Sequence, residues 1–422
     1  MMITMTFTLL FLALAAEDPC ITCHLKLEDN RLSTPARGVA EDVHTASGFS
    51  CASCHGGDPQ ASIGRAPGGR VDHGRGFIGK PAPQAIPALC GKCHADAALM
   101  HRYDPNLPVD QLAQYRTSVH GQKLAAGAKD VAQCVSCHGV HGILSPKDPR
   151  SPVYATRIPE TCGRCHANAE HMKAYDVPTD QLDLYRSSVH GKALFEKGDL
   201  GAPTCNSCHG NHGAAPPEVS SVSLVCGTCH TVQKELFAAS AHKPIFDEAG
   251  QPECETCHGN HGVASATDEL LGVEKGSICV ECHDSARSPA YQTAKALRGD
   301  IERLKNALAG ARTVMDVADR AGMDVSEAEM TLIDANQALV ESRNLVHAAS
   351  LEKLSESVEK GSKLAAKAEQ AGRARLAELQ YRRKGLALSL VFIFLVVIGL
   401  HLKIRQIEGH PTHSRSRNHG YP

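Results

Sequence analysis

The 18 cysteines of this 422-residue chain fall into nine pairs. Every pair reads C-x-x-C, and each is followed at once by histidine. The pairs are Cys20/Cys23, Cys51/Cys54, Cys90/Cys93, Cys134/Cys137, Cys162/Cys165, Cys205/Cys208, Cys226/Cys229, Cys254/Cys257 and Cys279/Cys282. The histidines are His24, His55, His94, His138, His166, His209, His230, His258 and His283. Disulfides are the ordinary use of cysteine in an exported chain, but they need no histidine after each pair. Zinc sites use C-x-x-C and histidine, but not C-x-x-C-H without exception. With independent positions, nine such hits in nine would arise with a probability on the order of 10⁻¹¹.

C-type haem attachment requires all of these residues. Two thiols form thioethers with the haem vinyl groups, and the adjacent imidazole becomes the proximal iron ligand. Nine covalently attached haems are therefore expected. The composition agrees. The chain has no tryptophan and only 4% aromatic residues, where a core this size normally uses aromatic fillers. A haem is a large flat apolar body and can replace them. Residues 17–285 leave roughly 30 residues per haem, which predicts loops and short helices wrapped on packed cofactors. A formal net charge of −2 argues against a general nucleic-acid binder.

The sixth iron ligand separates electron relay from catalysis. Fifteen histidines lie outside the motifs, and His401, His410, His413 and His419 lie in or beyond a C-terminal apolar segment. An internal repeat sorts the other eleven. Residues 90–142 and 162–213 match, with DQLAQYRTSVHG and CHGVHG answered by DQLDLYRSSVHG and CHGNHG. A shorter copy spans 226–262, and a degenerate one begins near 20–58. Each carries one histidine before its second motif (His44, His120, His190, His242) and one after it (His73, His141, His212, His261). Which serves which haem stays open. His101 and His171 are out of register and read as surface or packing residues. Met100 and Met172 are in register, but the third copy has Leu236 there, which points to apolar packing. The ninth motif, 279–283, lacks a trailing His-Gly, and His347 is the remaining candidate ligand.

From about Ser288 the chain turns rich in Ala, Glu, Lys, Arg and Leu. Leu297, Ile301, Leu304, Leu308, Ala311 and Met315 repeat at 4, 3, 4, 3, 4, the seam of a coiled coil. Gly322 reads as a stop, and Asp324 or Ser326 as the next cap. A helical hairpin over 288–384 is expected, carrying His347. Gly385–Leu402 has no formal charge and spans ~27 Å, enough for one membrane crossing. A transmembrane helix at 385–403 and a cytoplasmic tail at 404–422 follow. Residues 1–16 resemble an export signal lacking its basic start. The fold class expected is mainly α with extensive loops: a haem-packed domain over 17–285, a helical hairpin and one C-terminal anchor.

With its SVHG and CHGxHG companions, the pattern resembles the multihaem c-type cytochromes of bacterial respiration, including class III-like cytochromes. The resemblance covers residues 20–283. It implies stacked haems, bis-histidine ligation, low potentials and electron transfer. It also implies that the eight repeat-placed histidines are distal ligands. There is no CxxCK, the motif that catalytic nitrite-reducing relatives often carry, and the anchor is C-terminal, whereas quinol-oxidising members usually place it at the N-terminus. The expected function is relay between a quinol-linked membrane complex and periplasmic or outer-membrane acceptors, with the haem domain in the periplasm. The rival is a reductase of a small nitrogen or sulfur oxyanion at one open haem. A straight helix from His347 would place the anchor 39 residues away, ~58 Å. Either that helix folds back, at Gly361 or Gly372, or electrons reach the membrane through another protein.

Overall fold

The computed structural model describes residues 18–59, 72–214 and 223–409. The expected signal segment, and the tail beyond residue 409 with His410, His413 and His419, lie outside them. The described residues form helices, short 3-10 turns and loops, with no strand. Two compact units emerge: residues up to 228 together with 252–265, and 229–251 together with everything from 266 onward. The second unit thus takes in the Cys279 motif and the segment 229–251 as well as the C-terminal helices.

The first unit is built from repeats whose sequence signatures have local causes. In the 90–142 copy, helix Ile86–His94 ends on a motif, and Gln111–Thr117 packs across it. A Cβ on Gly91 would lie 2.3 Å from the terminal methyl of Leu112, so a larger residue there would force that side chain to move. Gly163 meets Leu182 at 2.5 Å in the next copy. The SVHG segment starts helix Val119–Ala125, where Ser118 Oγ accepts the Gly121 amide at 3.0 Å. A Cβ on Gly121 would meet the Tyr115 carbonyl at 1.9 Å. Tyr115 itself donates to the Ala132 carbonyl (2.9 Å), and Tyr185 repeats this bond with Pro203 (2.9 Å).

Successive copies are stitched by one recurrent backbone bond. The residue before the first extra histidine donates to the residue two past the second extra histidine of the following copy. The bonds are Val43 to Ile143 (2.9 Å), Val119 to Ala214 (3.2 Å) and Val189 to Val263 (2.9 Å).

In the second unit, α1 (Pro289–Arg320) is capped by Ser288, whose Oγ accepts the Tyr291 amide. It ends before Gly322, at φ +77°. Asp324 then accepts from the amide and hydroxyl of Ser326 at the start of α2 (Ser326–Leu345). A 3-10 turn, Val346–Ala348, and Ala349 at φ +50° reverse the chain into α3 (Leu351–Glu408). The predicted seam is inside: Leu297, Ile301, Leu304, Ala311 and Met315 are buried, and Leu308 is partly so.

Two expectations change here. The hairpin is a three-helix bundle whose third member continues unbroken into the apolar segment. The glycines read as fold-back points are instead close-packing positions. A Cβ on Gly361 would lie 2.8 Å from Ala338 and 3.0 Å from Leu304, and one on Gly372 would lie 3.1 Å from Val314. His347 sits in the turn between α2 and α3. Along α3, Leu386 to Leu402 expose apolar side chains all round, with a mean hydropathy of 2.6 over an 18-residue window. It is a helix long and apolar enough to cross a membrane.

Candidate haem-ligand array

Seven of the nine attachment motifs lie on short helices that end on their histidine, whereas the helix at Cys226 stops at that residue and a 3-10 turn over Ile278–Glu281 stops short of His283. Three of them, Cys51–His55, Cys134–His138 and Cys205–His209, read C-x-S-C-H. That serine has a capping role: Ser53, Ser136 and Ser207 Oγ accept the amides of Ser50, Gln133 and Thr204 at 3.0–3.1 Å. The two motif helices of a repeat pack together, and their leading thiols meet. Cys90 and Cys134, Cys162 and Cys205, and Cys254 and Cys226 lie close enough to perturb each other's ionisation. In the first copy Asp18 bridges the motifs, accepting the Cys20 amide (2.9 Å) and the Cys51 amide (3.0 Å). Each repeat therefore brings two attachment points side by side.

The sequence treats the two thiols of a motif alike, whereas the structure separates them. The leading thiols are all half-buried. Of the second thiols, Cys23, Cys93, Cys137 and Cys165 are half-buried, but Cys54, Cys208, Cys229, Cys257 and Cys282 are exposed. No disulfide joins any of the eighteen. Second thiols also look across copies. Partial desolvation by neighbouring atoms pushes the Cys54 thiol up although one side of it is open to solvent, and the nearby Cys93 adds to it. Burial raises Cys137 as well, with Arg164 opposing and Cys165 reinforcing the shift. Leading thiols thus meet within a repeat, while second thiols lie near those of the next one.

The histidine rings face one another in twos. His24 faces His73 with centroids 6.2 Å apart, His55 faces His141 at 6.0 Å, and His94 faces His44 at 5.9 Å. His138 faces His212 at 6.1 Å, His166 faces His120 at 6.1 Å, and His209 faces His261 at 5.9 Å. In the second unit His283 faces His242 at 6.0 Å. Each of these pairs joins one motif histidine to one repeat-placed histidine. The spacing is that of a coordinated metal. Two metal–nitrogen bonds of about 2 Å each, plus the ring radii, set the centroids about 6 Å apart. Direct stacking is closer, as His73 and Phe77 show at 4.1 Å. The array thus fits bis-histidine haem iron. Among the described residues, no three His, Cys, Asp or Glu side chains converge as a closed zinc site would need.

The pairing follows a rule. The histidine before a repeat's second motif reaches forward to the next copy's first motif: His44 to His94, and His120 to His166. The histidine after it reaches back to the preceding copy's second motif: His141 to His55, His212 to His138, and His261 to His209. The stitching backbone bonds hold these crossing residues beside each other. His73 is the exception and faces the first motif of its own copy. His190 occupies the same place in helix Val189–Phe195 that His120 holds in its own. His347 is half-buried, with its Nδ1 3.0 Å from the Asn344 carbonyl, which accepts when Nδ1 carries the proton. His283, whose candidate partner by count along the chain is His347, has its ring facing His242. His230 and His258 stand at the ends of their own motifs.

Burial favours the neutral, ligating form at some of these rings. Desolvation, reinforced by the facing imidazole, pulls His120 and His242 below the ordinary histidine pKa. Desolvation acts likewise on His94, His138, His166 and His212. Neutral imidazole is the species that binds metal. Asp42 is the residue the sequence reading missed. Its Oδ1 accepts from His44 Nδ1 (2.9 Å) and the His44 amide (2.9 Å), and its Oδ2 accepts the Ile143 amide (2.9 Å). Burial would raise its pKa, but these bonds outweigh burial and hold it below the ordinary carboxyl value.

The out-of-register residues lie apart from the pairs. His101 Nε2 is at the Leu107 carbonyl (3.1 Å), and the His171 ring lies against Tyr175. Met172 is buried as packing.

A family described as a doubled CXXCH motif matches residues 127–171 and 242–288. No curated protein and no solved structure matches the chain. The matched segments hold CXXCH motifs, which indicate covalently bound c-type haem, and the match is consistent with a multihaem c-type cytochrome.

Proposed function

We propose that the protein is a membrane-anchored nonahaem cytochrome that relays electrons on the periplasmic face. It would pass them between a quinol-linked membrane complex and periplasmic or outer-membrane acceptors. The observation carrying this reading is the set of seven facing imidazole pairs, each of which would hold a haem iron between two histidines. Haem supplies reversible one-electron chemistry at potentials that histidine ligation lowers. The chain supplies fixed ligands on helices pinned by caps and inter-copy bonds, so little rearranges on reduction. His190, by the forward register of His44 and His120, and His347 complete the proposed distal set of nine.

The distance to the bilayer supports a separate donor. Leu351 and Gly385 are 34 residues apart on one continuous helix, ~51 Å. The Cys279 motif leads into the end of α1 that packs beside the start of α3, so this haem end stands far from the anchor. The rival needs one haem with an open position, and at the ninth motif His283 is already faced by His242. Electron paramagnetic resonance of the purified protein, with and without cyanide or nitrite, tests the reading. Fully low-spin spectra unmoved by either ligand are expected. A high-spin haem that binds them would favour the reductase.

A further inference from the structure

The residue two before the first extra histidine is Ser118, Ser188 and Ser240 in three copies, but Asp42 in the first. All four accept backbone amides at the start of the histidine's helix: Ser118 from Gly121, Ser188 from Gly191, Ser240 from His242, and Asp42 from His44. The aspartate does more, because its longer side chain also takes the His44 ring N–H at 2.9 Å. That carboxylate is only 7% exposed. Elsewhere in the array, the Nδ1 atoms of His24, His55 and His347 sit at neutral carbonyls of Leu32, Gly79 and Asn344.

We propose that Asp42 is a positioning residue that strengthens His44 as an electron donor to the iron between His44 and His94, lowering that haem's reduction potential. A carboxylate on the far nitrogen raises the basicity of a ligating imidazole. Burial keeps water from screening the effect. The richer ligand stabilises ferric over ferrous iron at this site. The inference rests on the haem-relay reading, and it concerns one haem of the row.

The test uses the full-length haem-loaded protein in detergent, with Asp42→Ser, which restores the cap found in the other copies, and Asp42→Asn, which keeps an acceptor without charge. Potentiometric titration in both variants should show one one-electron component easier to reduce by about tenfold, ~59 mV, with the others in place. The low-spin resonance of a single haem should shift with it. Wild-type potentials in variants carrying the full haem complement would overturn the proposal. So would loss of low-spin ligation, which would make Asp42 part of the scaffold only. A wild-type protein without haem would fail the relay reading itself, a separate outcome.

Discussion

At the scale of single residues, the claim most open to test is that distal ligands cross between copies. His141 lies three residues beyond its own motif histidine, yet its ring faces His55. In His141→Ala, one haem should turn high-spin. Removing the haem at Cys51/Cys54 by serine substitution should abolish that signal, and removing the one at Cys134/Cys137 should leave it. The reverse pattern would refute the crossing. The sequence pointed to His141 because the repeat places it, but not to its partner. Ligand assignment depends on how copies abut, and the Val43–Ile143 type of bond that sets this leaves no signature in residue type. The unequal exposure of the two thiols in a motif, as at Cys205 and Cys208, is hidden for the same reason. Asp42 did leave a trace, as the one aspartate in a column of serines, but nothing in the sequence said that it reached a ring.

At the scale of elements, the C-terminal helices owe their packing to positions with no side chain as much as to the Leu/Ile seam. Gly361→Ala would press a methyl against Ala338 and Leu304. Overpacking of this kind should cost about 1–3 kcal/mol, measurable as a lower thermal midpoint by circular dichroism. An ionic clasp holds the preceding loop. Asp268 binds Arg343 (2.8 Å) of α2 and Lys305 (2.9 Å) of α1. The Arg343 bond, with that of Lys305, brings its pKa from an ordinary 3.8 to about 2. A depressed carboxyl contributes stability above its unfolded pKa and loses it as pH falls through the folded one. Asp268→Asn should therefore cost about 2 kcal/mol at neutral pH, and the difference from wild type should vanish between pH 4 and about 2. A pH-independent difference in unfolding would speak against the clasp. The heptad seam was legible because Leu and Ile recur at 3.5-residue spacing. The third helix was not, since Gly361 and Gly372 read as breaks until their neighbours are seen.

At the scale of the whole molecule, the account joins a haem-bearing region to an apolar helix that carries its exposed side chains on every face. A chain ending after Lys384 should leave the membrane fraction on cell breakage while keeping its visible spectrum. Retention on membranes would place the anchor elsewhere. The aromatic poverty of the sequence had already implied that something other than side chains fills the interior, and the repeated motifs said what. Orientation and partners leave no comparable mark, because they depend on surfaces that neither periodicity nor spacing encodes. Intact mass spectrometry of the matured, purified protein tests the central claim most directly. The account predicts a mass equal to the polypeptide plus nine haems, and a polypeptide of bare mass, or one carrying clearly fewer, would contradict it.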